Sequence, residues 1–329
     1  MNETVNRCEA QLADWLQQAF RAAFGEAQAW SGIRVQPATD ARFGDFQCND
    51  AMQASKTLRR PPRAVAEAAL AALMICDPSR KCAATTALRE HWLAGALDRV
   101  TAADIDAPLR APGRPTRPQL VAPAQLAGRK TAHREGHAAL LHAIAHIEFN
   151  AINLALDCVY RFRSQARAFH DDWIKVAAEE AYHFDLVCER LAALGFAYGD
   201  FPAHDGLWDM ACRTAHDLLA RMALVPRVLE ARGLDATPPI MNKLRGAGDK
   251  ASVAVLEIIL RDEIGHVAIG DRWFREQCAV RGLEPEATYL QLIDDFRAPR
   301  PQPPLHIEAR LAAGFSVAEL EALSRPRKR

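Results

Sequence analysis

From Thr131 onward the chain carries four long stretches in which apolar residues return every three or four positions, the period of one helix face. They run from about Thr131 to Phe162, Asp172 to Leu194, Asp205 to Arg232 and Asp249 to Arg281. Asp172 reads as an N-cap, and Gly195, Gly233 and Gly282 read as C-terminal stops. A helix of about 23 residues is about 34 Å long, the length found in four-helix bundles. The connection at 196–204 spans about 30 Å when extended, enough for one crossover along such a bundle. Pro226 falls inside the third stretch, where it removes a backbone donor and must kink the helix.

The segment Pro108–Pro123 holds five prolines and excludes regular helix, so it marks a boundary. Before it lies a mixed region: an amphipathic helix over about Glu3–Phe24, a short strand at Gly32–Gln36, and helices at about Asp45–Leu58 and Pro62–Met74. The expected fold class is therefore mainly α, a four-helix bundle with a small α+β N-terminal domain. The expected domains are 1–87, a helix and basic proline-rich linker at 88–130, the bundle at 131–282 and an extension at 283–329. With 329 residues the chain is long enough for about two domains. Its 41 basic and 41 acidic side chains exclude a polycation that binds by bulk charge. Eight cysteines are irregularly spaced without a CxxC pair, the pattern of reduced thiols. The polar start and the lack of an uncharged stretch near the roughly 20 apolar residues of a membrane span predict a cytoplasmic protein with no membrane partner.

Chemistry concentrates in two ExxH motifs, Glu180–His183 in the second helical stretch and Glu263–His266 in the fourth. Each puts a carboxylate and an imidazole one turn apart on one helix face, where both can reach one cation. Random placement of this chain's glutamates and histidines yields about 0.6 such motifs, so one alone is weak and two on separate long helices are not. Glu148 and Glu230 stand in apolar surroundings on the first and third stretches, 32 and 33 residues before Glu180 and Glu263. The site thus reads as two similar halves. Four carboxylates and two imidazoles suit a pair of iron ions, with manganese as the alternative, whereas zinc takes fewer oxygens. Glu179 and Asp262 precede the motif glutamates and can accept the second ring proton of a ligating histidine. His142 and His146 read as hydrogen-bonding rather than ligating residues, because six ligands are already present.

Residues from about Leu88 to Phe315 resemble the ferritin-like di-iron carboxylate proteins, and within them a bacterial branch of ferritin-like domain proteins. The resemblance rests on HAIAHIEFNAINLALDCVYRF (142–162), DDWIKVAAEEAYHF (171–184), YGDFPAHDGLWDMA (198–211), VPRVLEARGLDATP (225–238) and RDEIGHVAIGDRWF (261–274). It implies a ferritin-like four-helix bundle with a di-iron centre on Glu148, Glu180, His183, Glu230, Glu263 and His266. A second resemblance lies at 41–73 (ARFGDFQCNDAMQASKTLRRPPRAVAEAALAAL), which is similar to the N-terminal appended domain of arginyl-tRNA synthetases. In those enzymes the domain touches the outer corner of tRNA. Here the sequence after Met74, ICDPSRKCAATTAL, departs from the pattern by lacking the strand that closes that domain.

Lys56, Arg59, Arg60 and Arg63 are the residues of this segment that can contact phosphates. Residues 1–80 balance nine acidic against nine basic side chains, while 108–134 hold six basic and none acidic. Together these features predict an O2-dependent di-iron oxidoreductase of the oxygenase or hydroxylase type that draws on an external electron donor. Its candidate substrate is tRNA or an aminoacyl-tRNA. Alternatives are a small-molecule di-iron oxidase, iron oxidation or storage, and a metal-stabilised interaction module. Oligomer formation is left open.

Overall fold

A computed structural model of the chain describes residues 36–37, 46–47, 63–98, 104–105, 108–126 and 134–325. By internal contacts the chain divides into two compact units, Met1–Arg63 with Ala94–Asp98, and Ala64–Leu93 with Arg99–Arg329. In the first, strands β1 (Gln36–Pro37) and β2 (Phe46–Gln47) pair antiparallel, Gln36 opposite Gln47 and Pro37 opposite Phe46. Phe46–Gln47 is therefore strand where a helix beginning at Asp45 was expected. The expected helix Glu3–Phe24 lies outside the described residues. Short strands β3 (Arg63–Ala64) and β4 (Leu97–Asp98) form a second pair.

The second unit is helical. It begins with α1 (Val65–Leu73) and α2 (Pro78–Leu93). The units divide at Arg63–Ala64 rather than near residue 87 because α1 buries Ala69 and Leu73 against the long helix α3 (Arg134–Arg161). Helix α3 packs most extensively on α4 (Arg167–Ala193). By length and composition α3 could cross a membrane, yet 83% of its most apolar window is buried inside the protein, as in a core helix. Helix α4 starts five residues before Asp172, so Asp172 is not its N-cap. Its carboxylate instead accepts from Trp273 Nε1 at 2.7 Å and pairs with Arg272. The chain leaves α4 through Gly195 at φ +78°, a left-handed conformation that glycine adopts without strain.

The connection after Gly195 runs along α3 rather than turning straight back. Arg134 at the start of α3 binds Leu194 O, His142 accepts from the Gly199 N–H at 2.9 Å, and His146 meets His204 O at 3.0 Å. Farther along, Arg221 reaches Asp157 near the other end of α3. His142 and His146 thus anchor the crossing segment. A proline-rich strap, 108–126, lies beside it, joined by backbone bonds between Val121 N–H and Ala203 O and between Ala203 N–H and Gln119 O.

The third expected helix is broken. Helix α5 (Gly206–Arg213) stops, Asp217 caps α6 (Leu218–Leu224), and a π-helical stretch (Val225–Glu230) leads into α7 (Ala231–Gly246). Pro226 sits in the π stretch, where the Ala231 N–H bonds back five residues to Pro226 O. Gly233 is no stop, since α7 continues past it through Pro238 and Pro239. Helix α8 (Lys250–Arg281) is capped by the Asp249 side chain and ends at Gly282, φ +65°. A Cβ at Gly270 would lie 2.4 Å from the Pro226 ring, so only glycine lets the π stretch approach α8 this closely. The chain closes with α9 (Pro285–Asp295), α10 (Ile307–Ala312) and α11 (Val317–Ser324). All six described cysteines are free.

Candidate metal centre

The two motifs sit on uninterrupted stretches of α4 and α8, so the 3.6-residue period turns each glutamate and its histidine to the same side. Glu180 and His183 are fully buried, His266 and Glu148 nearly so, and Glu263 is 9% exposed. Ligand atoms of Glu148, Glu180, His183 and Glu263 all lie within 4.8 Å of one another. Glu180 is the middle of the arrangement. Its Oε1 lies 2.9 Å from His266 Nδ1, and its Oε2 lies 3.6 Å from His183 Nδ1. Glu148 Oε2 stands 3.4 Å from His183 Nδ1, and Glu263 Oε1 stands 3.8 Å from His266 Nδ1. Glu230, at the end of the π stretch, is half-buried as a residue, but its Oε2 is sealed from solvent and feels the charges of Glu263 and Glu180.

These atoms do not satisfy one another. Glu148 Oε2, both Glu180 oxygens, His183 Nδ1, Glu230 Oε2, Glu263 Oε2 and His266 Nδ1 are buried without an aligned hydrogen-bond partner. A buried polar atom left in this state costs about 1–3 kcal/mol, and seven together call for a common ligand. The outer ring nitrogens, by contrast, are engaged. His183 Nε2 meets Asp262 Oδ2 at 3.1 Å, and His266 Nε2 meets Glu179 Oε2 at 2.9 Å. Each acid accepts the Nε2 proton, which leaves Nδ1 as the lone pair facing the cluster. The pairing is crossed: Glu179 on α4 serves the histidine of α8, and Asp262 on α8 serves the histidine of α4.

Electrostatics follow from this crowding. Burial and then the Glu180 charge raise Glu148 well above the ordinary carboxylate range, and the same causes raise Glu263. Burial, then Glu263 and Glu180, push Glu230 up to about 8. Burial would raise Glu180 too, but His266 and His183 hold it below its usual value. Burial works against a charged His183, yet Glu148 and Glu180 push it up to about 11, and His266 is raised in the same way, chiefly by Glu180. Four carboxylates facing two neutral imidazoles carry four negative charges, which two divalent cations balance. The donor set therefore fits a pair of such ions.

Of the other residues singled out in the sequence, Lys56, Arg59 and Arg60 lie outside the described residues. Arg63 is described only as part of β3. The sequence reading did not find the groups that brace the cluster from outside. Asp157, Arg161 and Arg221 form a buried trio, with Arg221 Nη1 at 2.7 Å and Arg161 Nη2 at 2.8 Å from the Asp157 carboxylate. Arg227, inside the π stretch, binds Asp271 and Glu319 and stacks 4.0 Å from the Tyr289 ring centre. Charged residues flanked by apolar ones at 157 and 227 were the available signal.

Comparison with known proteins adds two findings. The family described as "Protein of unknown function (DUF455)" matches residues 74–321, and the arginyl-tRNA synthetase N-terminal domain matches residues 10–86. An uncharacterized protein of Haemophilus influenzae is 51% identical over 214 residues, covering 63% of this chain and 74% of that protein. An arginine–tRNA ligase of Synechococcus is 44% identical over 68 residues, 21% of this chain and 12% of the ligase. One from Chlamydia pneumoniae is 43% identical over 56 residues, 17% of this chain and 10% of the ligase. No solved structure matches the chain.

Proposed function

The chain belongs to the DUF455 family, and from that premise we propose that its helical unit is a ferritin-like four-helix bundle with a two-metal centre, iron or else manganese. In this reading the protein is an O2-dependent oxidoreductase of the oxygenase or hydroxylase type. The observation that carries it is the set of seven buried, unpartnered ligand atoms supplied by Glu148, Glu180, His183, Glu230, Glu263 and His266. Two redox-active ions held there supply two-electron chemistry on O2, with an external donor returning the electrons.

The chain's own residues do the rest. Glu180, between the two imidazoles, is placed to bridge, and the other three glutamates neutralise the remaining charge. Asp262 and Glu179 fix the imidazole rings and keep Nδ1 available. Ile152, Ala177 and Val267, one turn from Glu148, Glu180 and Glu263, are buried and apolar, which keeps bulk water away from the centre. The likeness of residues 10–86 to the synthetase domain supports tRNA or an aminoacyl-tRNA as the substrate class.

Metal analysis of the purified protein, followed by anaerobic ferrous loading and rapid mixing with O2, tests the centre. Two equivalents of iron and an O2-dependent absorbance change are expected. Stoichiometric zinc without an O2 reaction would replace this reading with a metal-stabilised interaction module. Binding of tRNA that weakens steeply with salt, and more so in a variant carrying Arg59→Glu and Arg60→Glu, tests the substrate class. No tRNA binding at low salt would leave a small-molecule oxidase.

A further inference from the structure

On the far side of α3 from Glu148 lies a second polar cleft. His146, Phe149, Asn150 and Asn153 follow one another at helical spacing along that face, and with Tyr198 and Arg114 of the strap they line about 250 Å³ of open space. The cleft is separate from the carboxylate cluster, and its polar atoms are mainly donors. Asn153 is 1% exposed, and its Oδ1 accepts from Lys81 Nζ at 2.6 Å. That contact leaves Asn153 Nδ2 as a buried donor with no acceptor. Arg114 Nε and Nη2 are likewise buried without acceptors. Its Nη1 binds Asp205 Oδ2 at 2.9 Å, and that carboxylate, 38% exposed, is the acid at the rim.

Lys81 adds a second cation behind this wall. It is fully buried, its ammonium donates to Leu73 O and Asn153 and faces the Phe149 ring at 5.4 Å, and among the described residues it has no carboxylate partner. Burial lowers it to about 7, and the nearby Arg114 charge acts in the same direction. His146 is committed to Tyr198 Oη and His204 O, so it forms wall rather than ligand.

The backbone is shaped to bring Arg114 here. The Gly113 N–H donates to Leu73 O, and a Cβ on Gly113 would sit 2.2 Å from Met74 O. Any other residue at 113 would lift the strap, and Arg114 with it, off the end of α1.

We propose that this cleft is a binding site for a small oxyanion, a carboxylate or phosphate group, held by the Arg114 fork and the Asn153 amide with Lys81 behind them. A water molecule could take one of these donors, but it would not offset two cations facing one rim carboxylate. A planar or tetrahedral oxyanion accepts from a guanidinium edge and an amide together. Nothing in this inference depends on the metal centre or on its chemistry.

Calorimetric titration of the full-length protein at low ionic strength, with inorganic phosphate and separately with acetate, tests it. Saturable 1:1 uptake of at least one anion is expected, and the better binder identifies phosphate or carboxylate as the preferred group. Arg114→Gln should weaken uptake at least tenfold. Asn153→Asp should abolish it, because the new carboxylate pairs with Lys81 and repels the anion, while metal content and melting temperature are retained. No saturable uptake of either anion at millimolar concentration, or uptake unchanged in both variants, overturns the proposal.

Discussion

In the first ligand-bearing half, Glu148 and the Glu180–His183 pair stand on two unbroken helices, α3 and α4, joined by residues 162–166. In the second, Glu230 ends a π-helical stretch entered through Pro226, and Glu263–His266 follow on α8 only after α7 has run on to Gly246. The spacings differ by one residue and the side chains converge, yet the backbones that deliver them do not match. Near-equal ligand spacing therefore constrains where the carboxylates arrive and leaves the route open. A π turn at a functional position is held by contacts that a regular helix does not require. Those contacts are visible. Arg227 is locked between Asp271 and Glu319, and Tyr289 Oη donates to Arg227 O at 2.8 Å. The first half leans instead on the Asp157–Arg161–Arg221 trio.

Glu180→Ala tests how far the halves share one centre. Because Glu180 reaches both histidines, metal content measured by mass spectrometry should fall to near zero for both ions. Loss of a single equivalent would mean that the halves load independently.

Asp157→Ala should cost about 3–5 kcal/mol in urea unfolding, since it leaves two buried guanidinium groups uncompensated. Burial opposes the Asp157 charge, but Arg221 and Arg161 hold its pKa below the usual range. Its contribution is therefore complete above the ordinary carboxylate value of about 3.9 and disappears as pH falls through the lower folded value. Wild-type stability should drop there, and the Asp157→Asn profile should be flatter over the same window.

The crossed imidazole contacts make a finer distinction between the halves. Glu179→Gln should lower affinity at the His266 side and Asp262→Asn at the His183 side, each by about 10- to 100-fold in metal titrations. The opposite assignment would contradict the pairing. Tyr289→Phe should have the smallest effect. Removing its bond to the π stretch should cost about 1 kcal/mol in thermal unfolding, with weaker metal retention confined to the Glu230 side.

The metal-directed residues were legible because a helix repeats its face every three to four residues, so Glu180–His183 and Glu263–His266 announce themselves by spacing alone. Glu148 and Glu230 were legible as lone carboxylates in apolar helical runs. The crossed service of Glu179 and Asp262 was not, because it depends on how α4 and α8 face each other. The break at 214–217 had a local cue in Asp217, whose carboxylate accepts from Leu219 N–H, but the apolar period runs straight through it. Asp172 looked like a cap and proved to be a partner for Trp273 from α8, a contact set by packing.

What the sequence determined by itself is a helical chain, a proline-rich strap, and the residue types and helical faces of a carboxylate–histidine set, because these follow from short-range periodicity and side-chain chemistry. Tertiary structure decided which acid orients which imidazole, that Pro226 opens a π turn rather than a simple kink, and that Gly113 brings Arg114 over α3. Each of those depends on two segments distant in the chain meeting at a few ångströms, where one atom of excess or deficit, as at Gly270 against Pro226, changes which conformation fits.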